Sequence, residues 1–266
     1  WNELSDFLAK TFWPGPLTLV LPKSDLISDL ITSGLPSVAL RWPQHPIAQE
    51  LINRVGVPLA APSANKFGRT SPTKAQHVKE EFSDSVLVIE GDSSSVGIES
   101  TVLSVKKQNN IYELAILRKG SILKSQITEV LSRQSFKYQW QEVIDKIESP
   151  GHMKHHYMPS IPLVVCRDAK LKLSELSGLL NKKLNELHDE IEGVKIIKPK
   201  SDIKKIEFLK LSSDPTQAAR ELYSQLRAAS LRSPDVLCFI QTSAHTGEMW
   251  ESVFDRLYKA ASLILD

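Results

Sequence analysis

From Leu163 onward, short apolar runs rich in β-formers alternate with segments of helical length, and this alternation constrains the fold more than any other feature. Leu163 to Cys166, Val194 to Ile197, Ile206 to Leu211 and Val236 to Ile240 read as strands. Residues 172–188, a helix opened by Asp214-Pro215 that carries Ala218, Ala219, Leu222 and Leu226 on one face, and a closing helix over 247–263 lie between and after them. Strands separated by helices pair in parallel, so this part is expected to be a doubly wound, Rossmann-like α/β domain. It contains neither Gly-x-Gly-x-x-Gly nor a P-loop, so neither standard phosphate fingerprint marks it as a nucleotide site. Arg220, Arg227, Asp255 and Arg256 read most simply as a solvated helix face.

The first half is also α/β, with less regular alternation. Residues 3–12 pattern as a helix that turns Leu4, Phe7 and Leu8 inward, and Trp13-Pro14-Gly15-Pro16 breaks it, because proline cannot continue a helix. Strands are expected at Leu17 to Leu21, from Ser37 toward Pro43, at Ser85 to Ile89, into Val102 and at Ile111 to Leu117. His45-Pro46 opens a helix with Ile47, Ala48, Leu51, Ile52 and Val55 as its apolar face and Gly56 as its stop, and residues 125–133 form another. Residues 135–162 lack a sustained apolar period and read as a linker, which divides the chain into 1–134, 135–162 and 163–266.

The stretch Val57 to Ser71 reads as a buried strand (Val57 to Ala61) running into a polar loop and then a helix started by Ser71-Pro72-Thr73. Pro62 ends the ladder, Ser63 and Ala64 allow close approach of a ligand, and Asn65 offers a donor and an acceptor. Gly68 permits a reversal and Arg69 adds a fork-shaped cation. Such a set suits an anionic ligand with several functional groups, and it equally describes a surface turn. Arg41, at the carboxyl end of a strand, stands where ligands bind in open α/β sheets. The run Ser93 to Val102 could cradle a carboxylate or phosphate with hydroxyls and amides.

Composition narrows the class. A net charge of +2 is too small for bulk attraction to nucleic acid, so any RNA contact needs a local patch. Cys166 and Cys238 fit no metal-ligand spacing and sit in apolar runs, as buried free thiols do in a reducing, cytoplasmic compartment. His152, His155 and His156 cluster, but the flanking proline and glycine disfavour the helix that would converge them, so no metal site is expected. No run approaches membrane-spanning length. The chain starts at Trp1 inside an amphipathic pattern, so upstream sequence is expected to be missing.

Taken in order, Trp13-Pro14-Gly15-Pro16-Leu17-Thr18, Ser37-Val38-Ala39-Leu40-Arg41-Trp42-Pro43, Pro62-Ser63-Ala64-Asn65, Gly68 to Thr73, Gly97 to Val102 and Leu117-Arg118-Lys119-Gly120 resemble the YrdC-type threonylcarbamoyl-AMP synthase family. Ser149-Pro150-Gly151, His156 to Pro159, Leu222-Tyr223, Leu226-Arg227 and Phe254 to Leu257 resemble its long form, with a linker and a C-terminal domain. The resemblance implies a twisted, open YrdC-like α/β sheet domain ahead of the Rossmann-like one. It implies synthesis of threonylcarbamoyl-AMP and pyrophosphate from L-threonine, bicarbonate and ATP, with Mg²⁺ on the phosphates, for the threonylcarbamoyladenosine modification of tRNA. Arg41, Ala61 and Ser100 would then hold L-threonine, and Ser37, Ser63, Asn65, Ser71, Arg118 and the linker's Tyr157 would hold ATP. No catalytic nucleophile or base is implied, since positioning and charge stabilisation suffice for phosphoryl-centred displacement.

The family carries a Lys/Arg-rich motif ahead of Trp-Pro-Gly-Pro that this sequence begins too late to include, and Lys154 and His155 stand where long-form members often have Tyr and Arg. Downstream tRNA-modification proteins are the implied partners. The competing reading is a non-catalytic tRNA-binding module using Lys66, Arg69, Lys74, Arg118 and Lys119 as a basic patch.

Overall fold

The computed structural model describes residues 1–142, 155–167, 173–191 and 194–266. They form two compact units that are not consecutive in sequence: residues 1–62 with 99–142, and residues 63–98 with the described part of 155–266.

The first unit is built on a mixed sheet. Helix α1 (Glu3–Phe12) is capped by Asn2, whose side chain accepts from the Ser5 amide, and it ends where Trp13 leaves helical geometry. Strands β1 (Leu17–Pro22), β2 (Ser37–Leu40), β3 (Thr101–Gln108), β4 (Ile111–Arg118) and β5 (Tyr138–Trp140) lie in the order β2-β1-β3-β4-β5. β1 pairs antiparallel with β2 and parallel with β3, β3 antiparallel with β4, and β4 parallel with β5. Asn109 and Asn110 both adopt positive φ at the β3–β4 turn, the conformation a tight hairpin demands. The helices α1 and α5 (Lys124–Ser132) supply Leu4, Leu8, Ile127 and Leu131 to a core closed by Leu17, Leu19, Leu103 and Leu114.

Three expectations for this unit change. Val57 to Ala61 forms no strand and lies exposed, Val57 at 58%. Pro58 and Pro62 each remove a donor, and among the described residues no strand pairs with this stretch. Helix α3 (Pro46–Val55) forms behind His45 and stops at a left-handed Gly56, yet none of its expected apolar face is buried. β5 replaces the start of the expected linker, because Phe136, Tyr138 and Trp140 alternate onto the core. A short helix α2 (Asp29–Thr32), capped by Ser28, completes the unit.

In the second unit, β6 (Leu163–Cys166), β9 (Ile206–Phe208), β10 (Val236–Ile240) and β11 (Leu263–Leu265) form an all-parallel sheet in the order β11-β6-β10-β9, while β7 (Glu190–Ile191) and β8 (Val194–Lys195) make a separate small ladder. Alternate residues feed opposite faces: Leu163, Val165, Leu237 and Phe239 meet α7 (Pro215–Leu231) and α8 (Glu248–Ala260), whereas Val164, Cys166, Val236 and Cys238 meet α6 (Leu173–Asn185). Helices on both faces of a parallel sheet make this the doubly wound domain expected. The last helix ends at Ala260, and the apolar residues behind it form β11.

Residues 63–98 contribute α4 (Ala75–Phe82) and a 3₁₀ turn at Ser83–Ser85 to this unit, with no strand at Ser85 to Ile89. The expected solvated face also fails in part. Arg256 is fully buried beside Asp255, and Arg227 is largely buried against Glu81.

Candidate functional site

In the first unit, the Trp-Pro-Gly-Pro turn ties two strand ends together. The Gly15 amide donates to the Trp42 carbonyl at 2.9 Å, and Arg41 Nε donates to the Gly15 carbonyl at 3.0 Å. A Cβ on Gly15 would lie 2.2 Å from the Phe12 carbonyl oxygen, so only glycine fits there. On the other side the Thr101 amide donates to the Pro16 carbonyl at 3.0 Å. The exit of β2 and the start of β3 are thereby fixed to one loop.

Three polar side chains meet at this end of the sheet. Thr18 Oγ1 and Ser100 Oγ share a buried hydrogen bond of 2.7 Å. Arg118, the last residue of β4, donates through Nε to the Ser100 carbonyl at 3.1 Å and through Nη2 to Ser100 Oγ at 3.2 Å. The chain beyond Arg118 passes so close that a Cβ on Gly120 would sit 2.3 Å from the Thr101 amide nitrogen. Thr101 Oγ1 donates to the Ile122 carbonyl at 2.7 Å, which completes the pinning of Ser100 and Thr101.

Charge defines what this arrangement can receive. Arg41 keeps much of its surface in solvent, but its inner end is drawn against Gly15. Burial, and then the Arg118 charge, push the Arg41 guanidinium below the ordinary arginine range. Among the described residues neither arginine pairs with a carboxylate. Two neighbouring cations with no countercharge make a receptor for an anion, and Arg41, with Nε already used, still has both terminal nitrogens for a bidentate carboxylate.

Arg41, Ser100 and Arg118 lie at one end of the sheet, though that end is not the one the sequence suggests. Thr18 and Ser100 stand at the amino ends of the parallel strands β1 and β3, because in this mixed sheet the carboxyl ends of β2 and β4 lie on that side. Ser37 is not beside them. It pairs with Pro22 at the opposite end of β2, and its buried hydroxyl has no partner among the described residues. Ala61 lies in the exposed stretch before Pro62. Sequence reasoning misses Thr18, although a hydroxyl in the otherwise apolar run Leu17 to Leu21 is a readable signal.

The remaining predicted residues belong to the second unit. Asn65 Nδ2 donates to the carbonyls of Lys66 and Arg69, both at 2.9 Å, so this side chain shapes the loop that follows Ser63. Gly68 adopts φ +73, a conformation that favours glycine. Residues 68–70 then run alongside the chain at 157–158: the Met158 amide donates to the Gly68 carbonyl at 2.9 Å and the Thr70 amide to the Met158 carbonyl at 3.1 Å. Thr70 Oγ1 donates to the Tyr157 carbonyl at 3.0 Å. Ser71 is buried directly after this ladder. Tyr157, in the left-handed region at φ +67, packs its ring into the unit's core 5.5 Å from that of Tyr223. Ser149-Pro150-Gly151, His152 and Lys154 lie outside the described residues.

A mixed-sheet unit ending in a pair of arginines, with a doubly wound unit to which a Ser-x-Asn loop is laced, defines a two-unit α/β protein. A family model described as "Telomere recombination" matches residues 1–120, and one described as "Threonylcarbamoyl-AMP synthase, C-terminal domain" matches residues 122–262. The threonylcarbamoyl-AMP synthase of Pyrococcus abyssi is 33% identical over 262 residues, covering 97% of this chain and 74% of that protein. That of Bacillus subtilis is 40% identical over 176 residues, covering 65% of this chain and 50% of that protein. The chain thus spans half of the Bacillus relative's length. A solved structure described as "Crystal structure of P. abyssi Sua5 complexed with L-threonine" superposes with a TM-score of 0.76 at 30% identity, covering 100% of this chain and 76% of that one. The chain belongs to the threonylcarbamoyl-AMP synthase family.

Proposed function

We propose that this chain carries out the family reaction, making threonylcarbamoyl-AMP and pyrophosphate from L-threonine, bicarbonate and ATP. The observation that carries the reading is the Arg41–Arg118 pair, two cations in mutual repulsion beside a hydroxyl pair and without a carboxylate partner among the described residues. A threonine carboxylate on Arg41 relieves that repulsion, and Ser100 with the backbone at Ala61 is suited to the amine and hydroxyl. The P. abyssi relative was crystallised as a complex with L-threonine, which supports this assignment.

The threonine amine adds to bicarbonate, with loss of water, to give N-carboxythreonine. An oxygen of the new N-carboxylate (carbamate) group attacks the α-phosphorus of ATP, the bond from that phosphorus to the α,β-bridging oxygen breaks, and pyrophosphate leaves. Arg118 offsets phosphate charge, and Mg²⁺ enters with the nucleotide as part of the substrate. Ser37, Ser63, Asn65, Ser71 and Tyr157 are assigned to ATP by their match to the family's motifs. The product is consumed in threonylcarbamoyl transfer to tRNA by partner proteins, in the cytoplasm. Among the described residues no helix is long and apolar enough to cross a membrane.

The test is pyrophosphate release by this chain from ATP, with each co-substrate omitted in turn. Release that requires both L-threonine and bicarbonate is the expected result. Stabilisation by tRNA with no threonine-dependent pyrophosphate release would favour the RNA-binding module instead.

A further inference from the structure

Within the second unit, a single arginine from the C-terminal domain holds the loop that bears Ser71. Arg227, on α7, donates through Nη2 to the Thr70 carbonyl at 2.5 Å and, more weakly, through Nε toward the Ser71 carbonyl at 3.5 Å. The same Nη2 pairs with Glu81 Oε2 on α4 at 2.8 Å, and the other carboxylate oxygen of Glu81 accepts from the Lys66 amide at 2.5 Å. Arg227 and Glu81 thus grip the loop at Lys66, Thr70 and Ser71, while its far side is laced to residues 157–158. The side chains of the ion pair are only 18% and 11% exposed, so water screens it little. Two of its three backbone contacts, at Lys66 and Thr70, lie beside residues assigned to ATP, and the third falls on the Ser71 carbonyl rather than on the Ser71 side chain.

We infer that Arg227 is a positioning residue for ATP, acting through the Thr70–Ser71 backbone and held in place by Glu81. The inference rests on the proposed role of Ser71 in ATP binding. The guanidinium holds Nη2 on the Thr70 carbonyl and Glu81 while Nε, in the same rigid plane, faces the Ser71 carbonyl, whereas lysine has one nitrogen and no such fixed second donor. The C-terminal domain is thereby assigned a direct part in shaping the nucleotide loop.

The experiment measures ATP affinity and steady-state kinetics for this chain and for Arg227→Ala, Arg227→Lys, Ser71→Ala and Arg227→Ala/Ser71→Ala, with melting curves to confirm folding. Arg227→Ala is expected to weaken ATP binding about tenfold, the value of one charge-assisted hydrogen bond. The KM for L-threonine at saturating ATP should stay unchanged. Arg227→Lys should fall between, and it carries the test if the alanine variant does not fold. Because Arg227 acts through Ser71, its loss should add little in the Ser71→Ala background, a non-additivity that a purely structural role would not produce. ATP affinity unchanged in Arg227→Ala, or a full additive loss in the double variant, overturns the inference alone. Failure of the unaltered chain to bind ATP overturns the proposed function and the inference with it.

Discussion

Arg118 holds Ser100 twice, at its carbonyl and at its hydroxyl, so the cation and the serine form one rigid element. Lysine carries its three donors on one nitrogen and cannot reproduce two bonds made from separate, coplanar nitrogens. Arg118→Lys should therefore keep the fold and lose activity about ten- to a hundredfold, the range for removing a hydrogen bond to a charged group. Pyrophosphate-release kinetics beside a melting curve check both halves of this expectation.

Arg41→Gln separates ligand binding from stability. The variant loses the 3.0 Å bond to the Gly15 carbonyl and also the repulsion between Arg41 and Arg118, two effects of opposite sign. Its melting temperature without ligand should hardly change. The rise in melting temperature that L-threonine gives the unaltered chain should disappear. A threonine-induced rise of the same size in both proteins would remove Arg41 from the site.

Gly120→Ala tests the close passage behind Ser100. The added methyl would meet the Thr101 nitrogen at 2.3 Å, the Ser100 carbonyl carbon at 2.6 Å and the Glu99 carbonyl oxygen at 2.7 Å, all backbone atoms with no rotamer to yield. The expected cost is about 2 kcal/mol or more. Denaturant titration measures it, and a change below about 0.5 kcal/mol, the usual range for surface substitutions, would show that the passage opens freely.

What can be read in advance follows from how local each cause is. β6 and β10 are continuous apolar runs, and β1 is one interrupted only by Thr18; all are bounded by prolines or polar residues, so the signal for each lies within the run. Val57 to Ala61 has the same apolar character, but a strand requires a neighbour, and the sequence does not reveal that none of the described residues pairs with it. β5 stays hidden because three aromatics on alternate residues are too short a pattern to stand out from a linker. Arg41 and Arg118 are legible through their motifs, whereas the facing of their charges depends on a mixed sheet whose strand directions the motifs do not carry. The Arg227–Glu81 pair joins residues 146 apart, and nothing local distinguishes it from a solvated helix face.

Two histidines set an acid limit on stability in the second unit. His77 Nδ1 accepts from the Thr73 amide and His245 Nδ1 from the Thr242 amide, both at 3.2 Å, which requires each nitrogen to be unprotonated. Burial lowers both pKa values, and for His77 the Arg227 charge adds to the effect. The unfolded chain takes up these protons near pH 6.5 while the folded chain does not, so the stabilisation is complete above that pH and declines as pH falls below it. Urea midpoints at pH 7.5 and 5.5 should differ more for the unaltered chain than for His77→Gln/His245→Gln, in which neither position titrates.

Cys166 and Cys238 bring their sulfurs to 3.4 Å on neighbouring strands and remain free thiols. In the parallel register Cys166 lies opposite Ile240 and Cys238 opposite Val164, so the two are diagonal neighbours on one face of the sheet. That contact raises the Cys238 pKa and burial adds to the rise, while the same contact lowers that of Cys166. Both side chains are sealed beneath α6 with Val164, Leu176 and Leu180. A thiol reagent reacts with the thiolate and needs access, and Cys238 is denied both. The folded chain should therefore react with an aromatic disulfide reagent only at the rate of unfolding, and in denaturant both thiols should react at once. Rapid labelling of Cys166 in the folded chain would place it at the surface and contradict the packing of α6 on this face.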